Sequence, residues 1–226
     1  MKRLYFLHGF MGTAETHFQS QLIHLKEEFE LVPLDLPGHG SCSTDAGDPY
    51  FPSALQWVIE RIQEEGKGFL WGLSLGASLA VHTAIKLPQY VEGIILTGYT
   101  PRVPESLTEV MNKQYDYFLH IEEHERSLAD QFKALHGDRW KSTLRNVLHG
   151  MTFHYPALDD EAIEQLTAPT LVLNGSTEKH EREAAIHMKA RNAAIQIGLL
   201  PNAGHTANMD QPEACSKLAS SFLQGL

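Results

Sequence analysis

Through the first 100 residues, short apolar runs alternate with longer stretches whose apolar positions recur at helical spacing. Leu4 to Leu7 reads as a strand, and Phe18, Leu22, Leu25 and Phe29 mark the helix after it. Glu30 to Leu34 is a second strand. A helix follows, opened by Pro52 at its first position and carrying Leu55, Val58, Ile59 and Ile62 on one face. Phe69 to Trp71 is a third strand running into an apolar helix, and Val91 to Thr97 a fourth strand. Strands alternating with helices make a parallel, doubly wound sheet. The alternation stops at Pro101. From there to about Gln165 only helical patches occur, one with Leu128, Phe132 and Leu135, another with Trp140, Leu144, Val147 and Leu148. Thr170 to Asn174 and Ala194 to Leu200 resume the strands, and Gln211 to Leu226 closes the chain as a helix. The pattern predicts an α/β fold with a mainly parallel sheet of about six strands flanked by helices. Residues 1–100 and 166–226 form the core, and 101–165 a helical lid inserted after the fourth strand, over the sheet's C-terminal edge.

Candidate chemistry sits at that edge. Gly72-Leu73-Ser74-Leu75-Gly76 joins the third strand to its helix. A serine held in such a turn needs small neighbours, because a Cβ two residues away on either side would strike strand or helix. The result is an exposed hydroxyl with a helix N-terminus aimed at it. The first strand runs into His8-Gly9-Phe10-Met11-Gly12, which turns sharply at the same edge and offers the Phe10 N–H, with the Leu75 N–H, as a pair of donors to a developing oxyanion. His8 is read as an anchor of its loop, and Asp35 and His39 as braces of theirs. Glu178 follows the fifth strand and His205 the sixth, so the order is serine, acid, histidine. A serine hydroxyl becomes a good nucleophile when an imidazole takes its proton, and a carboxylate fixes that imidazole's tautomer. Ser74, His205 and Glu178 are the expected set; Glu181, three residues on, keeps the acid open.

Composition narrows the partners. At 226 residues the chain fits one domain, able to bury about 70% of its unfolded surface. A net charge of -10 excludes nucleic acid and anionic membrane as natural partners, leaving a small-molecule substrate. The apolar run before His8 is too short for a signal peptide, and no later run spans a membrane. With two cysteines, Cys42 and Cys215, a reduced cytoplasmic setting is expected. His120-Ile121-Glu122-Glu123-His124 matches an inverted zinc-peptidase pattern, but a solvated helix face accounts for it, and no metal is expected. The 101–165 stretch carries Arg102, Arg126, Arg139 and Arg145, candidate substrate contacts together with Trp140.

The chain resembles the α/β-hydrolase superfamily over nearly its whole length, through HGFMG (8–12), DLPGHG (35–40), GLSLG (72–76), the strand and GSTE turn (170–178) and PNAGHT (201–206). The resemblance implies nucleophile Ser74, base His205, acid Glu178 and oxyanion N–H groups of Phe10 and Leu75. Three departures stand out: Glu where most members have Asp, Ala77 where Gly is frequent, and no counterpart of the family's first two strands, which implies a six-stranded, all-parallel sheet. The activity implied is hydrolysis of a small or medium carboxylic ester through an acyl-enzyme. The HGFMG and DLPGHG spellings are also similar to the menaquinone-pathway synthase branch, which uses the triad serine as a base on an anionic substrate, with lid arginines binding carboxylates. A non-catalytic ligand sensor is a third reading, against which an intact Ser–acid–His set argues. Neither enzyme chemistry calls for a cofactor.

Overall fold

The computed structural model describes residues 1–226. Six strands, β1 (Arg3–Leu7), β2 (Glu30–Leu34), β3 (Gly68–Leu73), β4 (Val91–Thr97), β5 (Thr170–Gly175) and β6 (Gln196–Leu200), form one sheet in the order β2-β1-β3-β4-β5-β6. Every neighbouring pair is parallel, so all six strands end at one edge. Three helices fall within the first four strands: α1 (Ala14–Leu25), α2 (Tyr50–Glu65) and α3 (Leu75–Lys86). Between β4 and β5 lie α4 (Thr108–Leu119), α5 (Ile121–His124), α6 (Arg126–His136), α7 (Trp140–Phe153) and α8 (Asp160–Glu164), with no strand among them. The chain finishes with α9 (Lys179–Arg191), α10 (Ala207–Asp210) and α11 (Pro212–Gln224).

An all-parallel sheet must be covered on both faces, because its strands are apolar on both. Side chains alternate accordingly. Leu4, Phe6, Phe69 and Trp71 pack against Phe18 of α1 and Cys215, Ala219 and Phe222 of α11. Tyr5, Leu7 and Leu70 pack with Val58 and Ile62 of α2, Leu79 of α3 and Met188 of α9. The one polar atom of Trp71 is satisfied in place, Nε1–H donating to Thr97 Oγ1 at 3.0 Å. A third, smaller cluster joins Phe132, Trp140, Leu144 and Leu148 of the α4–α8 segment to Met11, from the loop after β1.

Several local expectations shift. α2 begins at Tyr50, so Pro52 is its third residue, still in the first turn where a missing N–H costs nothing. β6 begins at Gln196, because Ile195 turns into the core instead of joining the sheet. On α6 the buried face is Ala129, Phe132 and His136, leaving Leu135 exposed. His120 departs from helical geometry (φ -108°, ψ 25°) at the joint between α4 and α5, and its ring stands edge-on to that of His124 with centroids 6.3 Å apart. No group of three or more His, Cys, Asp or Glu side chains lies close enough to hold a metal ion. No helix is long and apolar enough to cross a membrane.

Candidate active site

Ser74 stands between β3 and α3 with φ 56° and ψ -114°, a region that costs a non-glycine residue of the order of 1–3 kcal/mol. The neighbours hold it there. Its N–H donates to Thr97 O at 2.9 Å, and its carbonyl accepts from the Ala77 and Ser78 N–H groups at 2.9 and 3.1 Å. The flanking glycines are required by close approach. A Cβ on Gly72 would lie 2.2 Å from Gly76 O, and one on Gly76 would lie 1.9 Å from Leu7 O. The Leu75 N–H opens α3, where an N–H has no partner within the helix.

His205 reaches this serine from the loop after β6. Its Nε2 is 2.9 Å from Ser74 Oγ and its Nδ1 is 2.5 Å from Glu181 Oε1. A carboxylate only accepts, so Nδ1–H donates to Glu181 and Nε2 is left to accept the Ser74 hydroxyl proton. Burial disfavours the charged imidazole. The Glu181 hydrogen bond, the Glu181 charge and the Glu178 charge together outweigh that and raise the His205 pKa above its ordinary value. The two loops are pinned to each other, since Thr177 N–H and Oγ1–H both donate to Ala203 O, at 3.0 and 2.9 Å.

The carboxylate that meets His205 is therefore that of Glu181, which corrects the expectation of Glu178. Glu178 is the N-cap residue of α9; its side chain is 42% exposed and lies beside His180 instead, 4.0 Å from Nδ1. Glu181 is one turn further on, 1% exposed, on the helix face that buries Ala184, Ala185 and Met188. Asn174 of β5 donates to the Glu181 carbonyl at 3.0 Å and fixes that turn. The spacing 181, 184, 185, 188 is visible in the sequence as one helical face, but 178 falls on the same face by phase. What separates the two glutamates is that Glu178 caps α9 with extended backbone (φ -80°, ψ 105°) and lies outside the helix.

The loop after β1 is braced as expected of His8. Its Nδ1–H donates to Gly9 O at 2.8 Å and its Nε2 accepts the Leu36 N–H at 2.9 Å. Full burial takes its pKa down to about 3, so the ring stays neutral. Phe10 N–H donates to no backbone or side-chain acceptor, and the Phe10 side chain lines the same cavity as Ser74.

That cavity, about 530 Å³ in volume, opens on Ser74, His205 and Glu181. Its apolar wall comes mostly from the α4–α8 segment and the chain leading into it: Val103, Leu107, Val110, Met111, Phe118 and Leu148. Its ionisable groups are Glu178, Glu181, His180, His205 and Tyr155; no lysine or arginine lines it. The expected arginine contacts are thus corrected. Arg102 pairs with Asp160 on the outside. Arg139 donates to the carbonyls of Gly40 and Cys42 and faces Asp45. Arg126 and Arg145 are exposed on their helices. Trp140 is buried among Phe132 and Leu144 and does not reach the cavity. Arginine counts do not reveal which way a helix faces; the ion pairs with Asp160 and Asp45 decide it.

A six-stranded parallel sheet carrying a serine on a strained strand-to-helix turn, hydrogen-bonded through histidine to a buried carboxylate, defines a class of enzyme folds. The chain belongs to the Alpha/beta hydrolase family, whose sequence pattern matches residues 4–218. The crystal structure of NosK from Streptomyces actuosus superposes with a TM-score of 0.91 at 32% identity, covering 99% of this chain and 98% of that one. A putative 2-succinyl-6-hydroxy-2,4-cyclohexadiene-1-carboxylate synthase of Bacillus subtilis is 26% identical over 97% of this chain and 89% of its own length. The 2-(acetamidomethylene)succinate hydrolase of Mesorhizobium japonicum is 24% identical over 96% of this chain and 86% of its own length. In the far longer PHYLLO protein of Arabidopsis thaliana, 25% identical, the match spans 92% of this chain but only 14% of that protein. The resemblance to the synthase branch thus stands beside equally similar hydrolases.

Proposed function

We propose that this protein is a serine hydrolase that cleaves a carboxylic ester with an uncharged, apolar acyl group through an acyl-enzyme on Ser74. The observation that carries the reading is the continuous chain Ser74 Oγ, His205, Glu181 at 2.9 and 2.5 Å, opening into the 530 Å³ cavity. His205 Nε2 takes the hydroxyl proton as Oγ adds to the ester carbonyl. Glu181 steadies the resulting imidazolium, and the Phe10 and Leu75 N–H groups face the oxyanion. The imidazolium then protonates the departing alcohol, and water repeats the sequence on the acyl-enzyme to release the acid. The α4–α8 segment acts as the lid. Two unpaired cysteines suit a reducing, cytoplasmic setting.

The second reading is a carbon–carbon lyase or synthase of the kind named for the Bacillus subtilis relative. It needs the same serine and histidine but an anionic substrate. The cavity argues against it, because a bound carboxylate would meet Glu178 and Glu181 with no lysine or arginine to balance it. The test is labelling by a fluorophosphonate probe read by intact mass, on wild type and Ser74→Ala, followed by turnover of neutral p-nitrophenyl esters against a succinyl-type dicarboxylate. One adduct lost in the variant, with turnover of the neutral esters alone, is the expected result. Labelling with turnover confined to the dicarboxylate would favour the synthase. A folded wild type that neither labels nor turns over would point to a ligand sensor.

A further inference from the structure

Resting on that reading, we propose that His17 is a positioning residue: by accepting the Gly9 N–H at Nδ1, it completes a two-histidine clamp that aims the Phe10 N–H at the reacting carbonyl. The Gly9 N–H lies 3.0 Å from His17 Nδ1, while Gly9 O accepts from His8 Nδ1–H at 2.8 Å. The two imidazoles therefore hold the peptide planes on both sides of one glycine, the residue least able to hold its own φ and ψ. The second plane matters for chemistry. A trans peptide points its C=O and N–H in opposite directions, so turning Gly9 C=O toward His8 turns the Phe10 N–H away from it, and that N–H has no partner in the protein. Gly9 O also takes a longer bond from the Gly12 N–H at 3.4 Å, whereas the Gly9 N–H has His17 as its one side-chain acceptor, so losing His17 loosens the first plane and, through Gly9, the second.

The site is built around this imidazole. A Cβ on Gly12 would fall 2.2 to 2.5 Å from three atoms of the His17 ring, so the ring lies flat against that glycine. A Cβ on Gly9 would be 3.4 Å from both His17 Cε1 and Ser74 Cβ, which puts the ring beside the serine. α1 departs from helical geometry at Phe18 (φ -125°, ψ 15°), the residue after His17. At that kink the His17 carbonyl accepts from Asn208 Nδ2–H at 2.6 Å. Asn208 is fully buried on α10, three residues beyond His205, and its own carbonyl accepts from Gln21 Nε2–H at 2.9 Å. His17 thus links the loop bearing the Phe10 N–H to the loop bearing His205. Burial, with the charges of His205 and His136, takes its pKa down to about 4. It stays neutral at working pH, with Nδ1 bare and Nε2 protonated.

The experiment compares His17→Phe, which keeps a ring but has no acceptor, with His17→Asn, whose Oδ1 stands the same number of bonds from the backbone as Nδ1. Expected is a loss of about 10- to 100-fold in kcat for the Phe variant with KM within about twofold, a smaller effect than removing an oxyanion donor outright, and recovery to within a few-fold in the Asn variant. An unchanged kcat in the Phe variant, or an Asn variant as poor as Phe, would overturn the clamp. Should the Phe variant not fold, imidazole ¹⁵N spectra of the wild type decide: a protonated Nδ1 on His17 overturns it, a bare Nδ1 with a protonated Nε2 supports it. A wild type with no turnover would sink the hydrolase reading instead, and the spectra would still test the bond.

Discussion

Replacing Glu181 by glutamine tests the proposed proton pathway where it is most exposed to failure. The change keeps side-chain size and removes one charge. In a serine–histidine–carboxylate set of another fold, the corresponding amide change lowers kcat by about 10⁴, or about 5.5 kcal/mol of transition-state stabilisation. Two features here set the expected size. Glu181 is 1% exposed with Oε1 2.5 Å from His205 Nδ1, so its interaction is short and shielded. The His205 side chain is 49% exposed, so water supplies part of the stabilisation the carboxylate would otherwise provide. A loss of about 10² to 10³ in kcat follows. Glu178→Gln removes a charge that is 42% exposed and makes no hydrogen bond to His205, so a change below about threefold is expected.

The pH profile adds a second readout. His205 must be neutral to accept a proton, and its pKa is raised above 6.5 chiefly because the Glu181 bond and charge overcome burial. In the wild type, kcat/KM therefore climbs with pH through an apparent pKa above 6.5. In Glu181→Gln only the Glu178 charge is left to oppose the burial penalty, and that pKa moves down. Stopped-flow acylation with a p-nitrophenyl ester from pH 5 to 9 measures both quantities. The reasoning fails if Glu178→Gln is the more damaging change, or if Glu181→Gln slows acylation while leaving the apparent pKa in place.

Two further outcomes concern the scaffold. Burial holds the neutral forms of His8 and His39, lowering one pKa to about 3 and the other well below 6.5. In the unfolded chain both would protonate near 6.5, so folding stability is full above 6.5 and falls as pH drops below it. From pH 6.5 to 5.5 each costs about 1 kcal/mol, together a fall in Tm of about 4–8 °C. A flat Tm by scanning calorimetry across that interval refutes this, and because His17 adds to the same slope, His39→Gln should lessen it by about a third or less. Gly76→Ala should prevent accumulation of folded protein, because its Cβ would be 1.9 Å from Leu7 O; a variant with wild-type Tm would show that α3 can move away from β1.

What the sequence reveals depends on whether a residue is chosen by its own backbone or by a distant neighbour. The elbow is legible because a Cβ on Gly72 or Gly76 would fall 2.2 or 1.9 Å from a backbone oxygen, so glycine is demanded at both positions. The four central strands are legible because each is buried on both faces and so reads as an apolar run, while β2 and β6, at the sheet's edges, keep short apolar runs although most of their residues are partly or fully exposed. Glu181 is only half legible: it shares the buried face 181, 184, 185, 188, but 178 fits that face by spacing as well, and only the point at which α9 starts, with Glu178 as its extended N-cap, decides between them. The arginines are different. Nothing local to Arg102 or Arg139 says that Asp160 and the Gly40 and Cys42 carbonyls hold them away from the cavity. His17 is the extreme case. Its place in the site depends on a kink at Phe18 and on a backbone donor 8 residues back, the Gly9 N–H, that needs an acceptor. The charge of the cavity follows from the same distinction. A carboxylate-binding site would need a cation aimed inward by tertiary contacts; here contacts hold Arg102 and Arg139 elsewhere, Arg126 and Arg145 face outward, and the motifs shared with its relatives record none of this.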